Sequence, residues 1–208
     1  MQRVPPSLNM KMIFILPHIF LYRKQLFLCI CYSKQFSGVT MEHEQPYRQP
    51  TPRLAFVQQL GDHRPQAMAW IRGGAAYPDI SGLVKFYDTP YGGILVEAEV
   101  FGLPNVTTPG SSDFYGMHIH EHGDCSDNFT HVGSHYNPTG SPHPQHAGDL
   151  LPLLGNQGYA WSSFYDKRFQ VWDILGRSVI IHAHRDDFTT QPSGDAGPMI
   201  ACGEIRRC

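Results

Sequence analysis

The stretch Ile94-Leu95-Val96-Glu97-Ala98-Glu99-Val100-Phe101 decides the fold class. In an extended strand successive side chains point to opposite faces, so Val96, Ala98 and Val100 share one face and Glu97 and Glu99 the other. Working outward, residues 67–71, 80–87, 114–120, 158–165, 178–182 and 199–205 have the same short, apolar-rich texture and read as strands. Residues 89–93 read as a turn, residues 109–112 as part of a polar loop, and residues 170–175 as one helical turn at most. With 20 Gly and 17 Pro in 208 residues, the chain is rich in punctuation between short elements. Seven or eight short strands without a convincing amphipathic helix predict an all-β antiparallel sandwich or barrel with its function on long loops.

The organisation along the chain is uneven. Residues 1–40 contain two short apolar runs broken by Pro17-His18 and Arg23-Lys24. Neither run reaches the roughly 20 apolar residues of a spanning helix. They read as a weak signal segment, or as an extension upstream of a start at Met41. Residues 41–64 read as a polar, Pro-containing linker or arm, and residues 65–208 as the globular domain. The formal net charge is −2 and there is no dense Lys/Arg block, so nucleic-acid binding by counterion release has no support.

Histidine carries the chemical signal. Nine of the twelve lie between His118 and His184, and imidazole is the commonest transition-metal ligand. On a strand His118 and His120 point to one face and can reach one ion. His143, His146 and Asp149 follow at a spacing of three in a Gly/Pro-rich loop, and with His135 they make a closed four-donor set suited to structural zinc. His118 and His120, joined by a distant histidine, make an all-imidazole set suited to copper. The five cysteines match no zinc-ribbon or thioredoxin-like spacing; Cys125 and Cys202 fall inside the globular part and could pair, whereas Cys208 reads as free.

Five blocks, in order, carry a resemblance: residues 116–125 (Gly-Met-His-Ile-His-Glu-His-Gly-Asp-Cys), 133–138 (Gly-Ser-His-Tyr-Asn-Pro), 146–150 (His-Ala-Gly-Asp-Leu), 176–182 (Gly-Arg-Ser-Val-Ile-Ile-His) and 201–203 (Ala-Cys-Gly). Together they resemble the copper–zinc superoxide dismutase family over most of residues 66–206, and Cys125 directly after Gly-Asp is closer to its bacterial branch. The resemblance implies a Greek-key sandwich that disproportionates superoxide to dioxygen and hydrogen peroxide by cycling of a copper ion supported by zinc. It implies His118, His120, His135 and His182 as copper ligands. It implies His135, His143, His146 and Asp149 as zinc ligands, His135 bridging the two ions and acting in proton supply. Asp186 matches the carboxylate that hydrogen-bonds ligands of both metals, here His118 and His143, and Cys125 and Cys202 match the disulfide. The expected partner is the superoxide anion, with a second copy of the chain as the candidate protein partner. A disulfide and copper chemistry favour an extracytoplasmic location over a cytoplasmic one.

One departure bears on catalysis. Where the family places an arginine before the second cysteine, this chain has Gly197-Pro-Met-Ile-Ala-Cys202, so Met199 occupies the anion-docking position. A thioether cannot dock superoxide as a guanidinium does. The expectation is slower, less steered dismutation. The competing expectation is a dismutase-like domain with little activity that buffers or delivers metal. Copper chaperones for dismutases contain a similar domain, usually beside a Cys-rich module that Cys29-Ile-Cys31 does not reproduce. A zinc hydrolase is disfavoured, because it needs an open zinc and a glutamate base, and only Glu121 is near. His122, His131 and His184 are extra; His131 reads as a surface residue, and His184 as either a surface residue or part of the approach to copper.

Overall fold

The computed structural model describes residues 52–105 and 113–208. Residues 1–51, with Cys29 and Cys31 and the first part of the polar arm, and residues 106–112, with the whole loop at 109–112, lie outside the described residues. The first element is a helix, α1 (Pro52–Asp62), inside the stretch read from sequence as a polar arm. Proline at the first helical position costs no hydrogen bond and pre-sets φ. None of its residues is buried, which is why it carries no amphipathic stripe for a sequence reading to find. It touches the sheet through Phe56, whose ring lies 5.8 Å from that of Tyr91 and 5.0 Å from that of Tyr165.

Seven strands form one antiparallel sheet: β1 (Ala67–Gly73), β2 (Ser81–Asp88), β3 (Ile94–Phe101), β5 (Met117–His120), β7 (Tyr159–Asp166), β8 (Ser178–His182) and β9 (Met199–Arg207). Their order is β5-β8-β9-β1-β2-β3-β7. β1, β2 and β3 are consecutive neighbours, whereas the chain crosses from β3 to β5, from β5 to β7 and from β7 back to β8. These crossovers are Greek-key connections, and they make long loops of residues 121–158. β4 (Phe114–Tyr115) and β6 (Leu153–Leu154) form a separate two-stranded pair. Residues 114–120 are therefore two strands, not the single one that the sequence suggests. The break is at Gly116, whose N–H donates to His184 O at 2.7 Å and whose O accepts from His182 N–H at 2.8 Å. A short helix, α2 (Val171–Ile174), stands where one helical turn was expected.

The alternation in residues 94–101 holds on the inner face, where Val96, Ala98 and Val100 are fully buried. They pack with Ile71, Phe86, Ile119, Leu150, Val179 and Ile205 in the main core. Glu97 lies on the other face but is itself covered. Its Oε2 accepts from Lys85 Nζ at 2.9 Å and Tyr87 Oη at 3.0 Å, and its Oε1 from Trp161 Nε1 at 3.4 Å. These partners outweigh the burial that would raise the carboxyl, and they hold its pKa below the ordinary value.

Cys125 and Cys202 form a disulfide with Cα atoms 5.8 Å apart, 77 residues apart in sequence, tying the loop after β5 to β9. Closing a loop of that length removes roughly 4 kcal/mol of unfolded-chain entropy. Cys125→Ser with Cys202→Ser should therefore lower the unfolding free energy by about 2–5 kcal/mol, read from urea denaturation, with a larger m-value because the unlinked unfolded chain is less compact. An unchanged midpoint would show that the loop is held without it.

Candidate metal centre

The centre begins at β5, an end strand of the seven-stranded sheet. One side of β5 pairs with β8, with His118 opposite Ile180 and His120 opposite Ser178. Its other side is covered by two loop segments. Ile119 N–H donates to Gly148 O and accepts from Tyr136 N–H through its own O, both at 2.8 Å, and Leu150 N–H donates to Met117 O at 3.2 Å. Isolated bridges set His118 beside Asp149 and His120 beside His135. The loop thus behaves as two extra strand fragments that satisfy an otherwise open edge. Gly148 is needed at this closure, because a Cβ there would run into Ile119 O.

With Ile119 turned into the core, His118 and His120 share the opposite face, together with Ile180 and His182 of β8. The loops cover that face, and His118, His120, His135, His143, His146, Asp149 and His182 are all buried. Two groups of four ligand atoms gather there, each within 4.8 Å of one another: His118, His120, His135 and His182, and then His135, His143, His146 and Asp149. His135 belongs to both. Its Nδ1 lies 2.8 Å from Asp149 Oδ1, while its Nε2 is a buried atom without a hydrogen-bond partner.

The remaining ring nitrogens are fixed from behind. Asp186 bridges the two groups, with Oδ2 at 2.8 Å from His118 Nε2 and Oδ1 at 2.9 Å from His143 Nε2. His120 Nδ1 is 2.9 Å from Gly133 O, and His182 Nδ1 is 3.0 Å from Gly197 O. This leaves His118 Nδ1, His120 Nε2, His182 Nε2, His143 Nδ1 and His146 Nδ1 buried without hydrogen-bond partners. The latter two sit 3.0 and 3.3 Å from Asp149 oxygens, without hydrogen-bond geometry. Orphaned polar atoms at this density are costly unless a common centre satisfies them. The donor sets suit two different ions: all-nitrogen for copper and three nitrogens plus a carboxylate for zinc.

Electrostatics prepare the same donors. Burial pushes His120 and His182 down to about 3, helped by the neighbouring His135 and His118 respectively, so both rings are neutral at ordinary pH. Burial also lowers His118, although Asp186 opposes it. Burial alone would raise Asp186, but the hydrogen bonds of His118, the Phe188 N–H and His143 hold it at about 2. Burial likewise opposes ionisation of Asp149, and the hydrogen bond and charge of His135 with the charges of His143 and His146 keep it below the ordinary value.

Several supporting residues carry no motif signal. Arg168 Nη1 donates to His146 O at 2.9 Å and its Nη2 to Asp149 O at 2.5 Å, while it pairs with Asp166 at 2.6 Å, so it pins the second group to β7. Gln191 clasps His143, accepting from its N–H at 3.0 Å and donating to its O at 2.7 Å. Gly194, at φ +69°, leaves the space for Asp186 and His143 that a Cβ would occupy. An arginine two residues after an aspartate is common, and only the fold turns this one toward the loop. Arg177 stacks on Tyr136 at 3.9 Å and donates to Asp173 O and Glu121 O, so it braces the loop without facing the ligand atoms. His131 is exposed and 3.1 Å from Asp127, and His122 and His184 are exposed.

Above the first group opens a cavity of about 570 Å³, lined in part by His120, His135, His182, Glu121 and Met199. Among the described residues no Lys or Arg lines it. Arg185, which is exposed, is not part of its wall.

The depressed imidazoles give a pH dependence with a definite sign. The unfolded chain binds protons at His120 and His182 below their ordinary value of 6.5, and the folded metal-free chain does so only near 3. Acidifying metal-free protein from pH 6.5 toward 4 should therefore lower stability, by about 1.4 kcal/mol per pH unit for each ring kept neutral. The Asp186 and Asp149 contributions are lost only at still lower pH. Urea midpoints that stay flat over that interval would contradict the assignment. Arg168→Ala should leave the fold intact yet weaken zinc binding about 10–100-fold, measured by chelator competition.

The sequence pattern of the Copper/zinc superoxide dismutase family matches residues 80–205, more than half of the chain. The human copper chaperone for superoxide dismutase is 32% identical over 173 residues, covering 76% of this chain and 60% of the chaperone. The chain thus spans about three-fifths of the length of that relative. The rat extracellular superoxide dismutase [Cu-Zn] is 34% identical over 134 residues, 60% of this chain and 54% of that protein. Among solved structures, the clock protein EA4 superposes with a TM-score of 0.59 at 28% identity, covering 69% of this chain and 96% of EA4. A SOD-like protein from Bacillus subtilis gives 0.54 at 27% identity, covering 65% of this chain and 95% of that one. The cofactors of this family are copper and zinc, and the two buried donor groups suit them. The chain therefore belongs to the copper/zinc superoxide dismutase family.

Proposed function

We propose that this chain is a copper- and zinc-binding dismutase that disproportionates superoxide at a reduced rate. The observation that supports the reading is that His135 belongs to both four-donor groups, its Nδ1 2.8 Å from Asp149 Oδ1 and its Nε2 buried without a hydrogen-bond partner. In this reading His118, His120, His135 and His182 hold copper, and His135, His143, His146 and Asp149 hold zinc. Copper supplies one-electron exchange with superoxide, and zinc a fixed charge that orders the loop.

The residues supply the rest. Asp186 sets the ring orientations of His118 and His143, so the two groups are positioned together. Gly133 O and Gly197 O fix which nitrogens of His120 and His182 face inward. The cavity admits a small anion to the His120–His135–His182 wall. When Nε2 of His135 is not engaged by copper it can hold one proton and pass it to the reduced oxygen species, solvent supplying the second; two superoxides and two protons give one dioxygen and one hydrogen peroxide.

The second reading, a metal-holding domain with little activity, is favoured by the cavity wall itself. Met199 stands there and, among the described residues, no Lys or Arg does, so the described wall gives anion capture no positive field. The relatives include both copper chaperones and extracellular dismutases. The disulfide and the extracellular relatives support an oxidising, extracytoplasmic setting.

Superoxide decay after pulse radiolysis separates the two readings. Copper- and zinc-loaded wild type should accelerate decay above a matched metal-free control, and Met199→Arg should raise the rate about tenfold or more and steepen its fall with ionic strength. Wild type indistinguishable from the control, with activity appearing only in Met199→Arg, would assign this chain to the metal-holding reading.

A further inference from the structure

Met199 is the cross-strand partner of the buried His182, at the bulge where β8 and β9 meet. Directly opposed strand residues hold their Cβ atoms about 4.5–5.5 Å apart, so these two side chains belong to one neighbourhood. One side of Met199 packs against the small cluster of Phe129, Val132, Ile180 and Cys202. Its other side lines the cavity into which His120, His135 and His182 open. The Nε2 atoms of all three rings are buried without hydrogen-bond partners.

A thioether in that position has two physical uses. As plain packing, a methionine fills an irregular gap, and leucine would serve nearly as well. As a donor, its sulfur is soft and polarisable, and soft donors favour cuprous copper over Cu(II) and zinc. The charge of the wall decides between them. It includes Glu121 and, among the described residues, no Lys or Arg, so the wall offers an anion no positive side chain and leaves a small cation unopposed.

We propose that Met199 adds a thioether donor to the His120, His135 and His182 wall, so that this site binds cuprous copper preferentially. The proposal rests on reading that group as the copper site, and it makes Met199 a ligand of cuprous copper rather than an empty place for an anion.

The test uses the full zinc-loaded chain with Cys29, Cys31 and Cys208 replaced by serine, so that no free thiol competes for Cu(I), and ascorbate keeps the copper reduced. Competition against a chromophoric Cu(I) chelator compares wild type, Met199→Leu and His120→Ala, and Cu(II) competition is run in parallel. Met199→Leu should weaken Cu(I) binding about tenfold while leaving Cu(II) binding nearly unchanged, and the reduction potential of bound copper should fall by about 59 mV. X-ray absorption of the Cu(I) form should show a sulfur neighbour in wild type and none in Met199→Leu. Copper bound with equal Cu(I) affinity in both proteins and no sulfur neighbour would overturn the proposal while leaving the copper site standing. Copper binding that His120→Ala does not weaken would overturn the copper-site reading itself, and the proposal with it.

Discussion

The structure depends on the covering of one strand edge. Met117–His120 would end the sheet with a row of unpaired backbone groups, and the loop after it returns twice to satisfy them. Those hydrogen bonds convert a glycine- and proline-rich loop into a fixed wall. They also place His135 and Asp149 beside His120 and His118, which no local propensity would do. The metal-binding geometry is thus a by-product of edge protection, reinforced at its far end by the disulfide to β9 and at its base by Arg168.

Burial gives the site its second property. Burial keeps the His120 and His182 rings unprotonated near neutrality, so these two donors stand ready without competition from hydrogen ions. Asp186 completes this arrangement by accepting from one ring of each group while remaining ionised. One carboxylate thereby couples two groups that lie on different elements, β5 and the loop before β6. A glycine with positive φ at 194 leaves it room.

Much of this was legible in the sequence because strand periodicity and ligand spacing are local. The alternation through Val96, Ala98 and Val100 predicts the inner face, and the His118–His120 spacing predicts a shared face. What was hidden is nonlocal or too short to have a period. Two-residue strands at 114–115 and 153–154 carry no alternation. The helix at 52–62 buries nothing, so its pattern is that of a polar arm. Arg168 and Gln191 act through backbone carbonyls and amides of the metal loop, contacts that depend on the crossovers between strands. Met199 shows the reverse case. Its departure from the family pattern is visible in sequence, but its meaning comes from a wall that among the described residues has no Lys or Arg and holds three rings with unpartnered Nε2 atoms.

The central claim is that His135 is shared between two metal groups. The most direct measurement is the stoichiometry and affinity of copper and zinc in three single variants, read by native mass spectrometry with chelator competition. The account predicts that His120→Ala weakens copper alone, His146→Ala weakens zinc alone, and His135→Ala weakens both. A His135→Ala protein that loses affinity for only one of the two metals would contradict it.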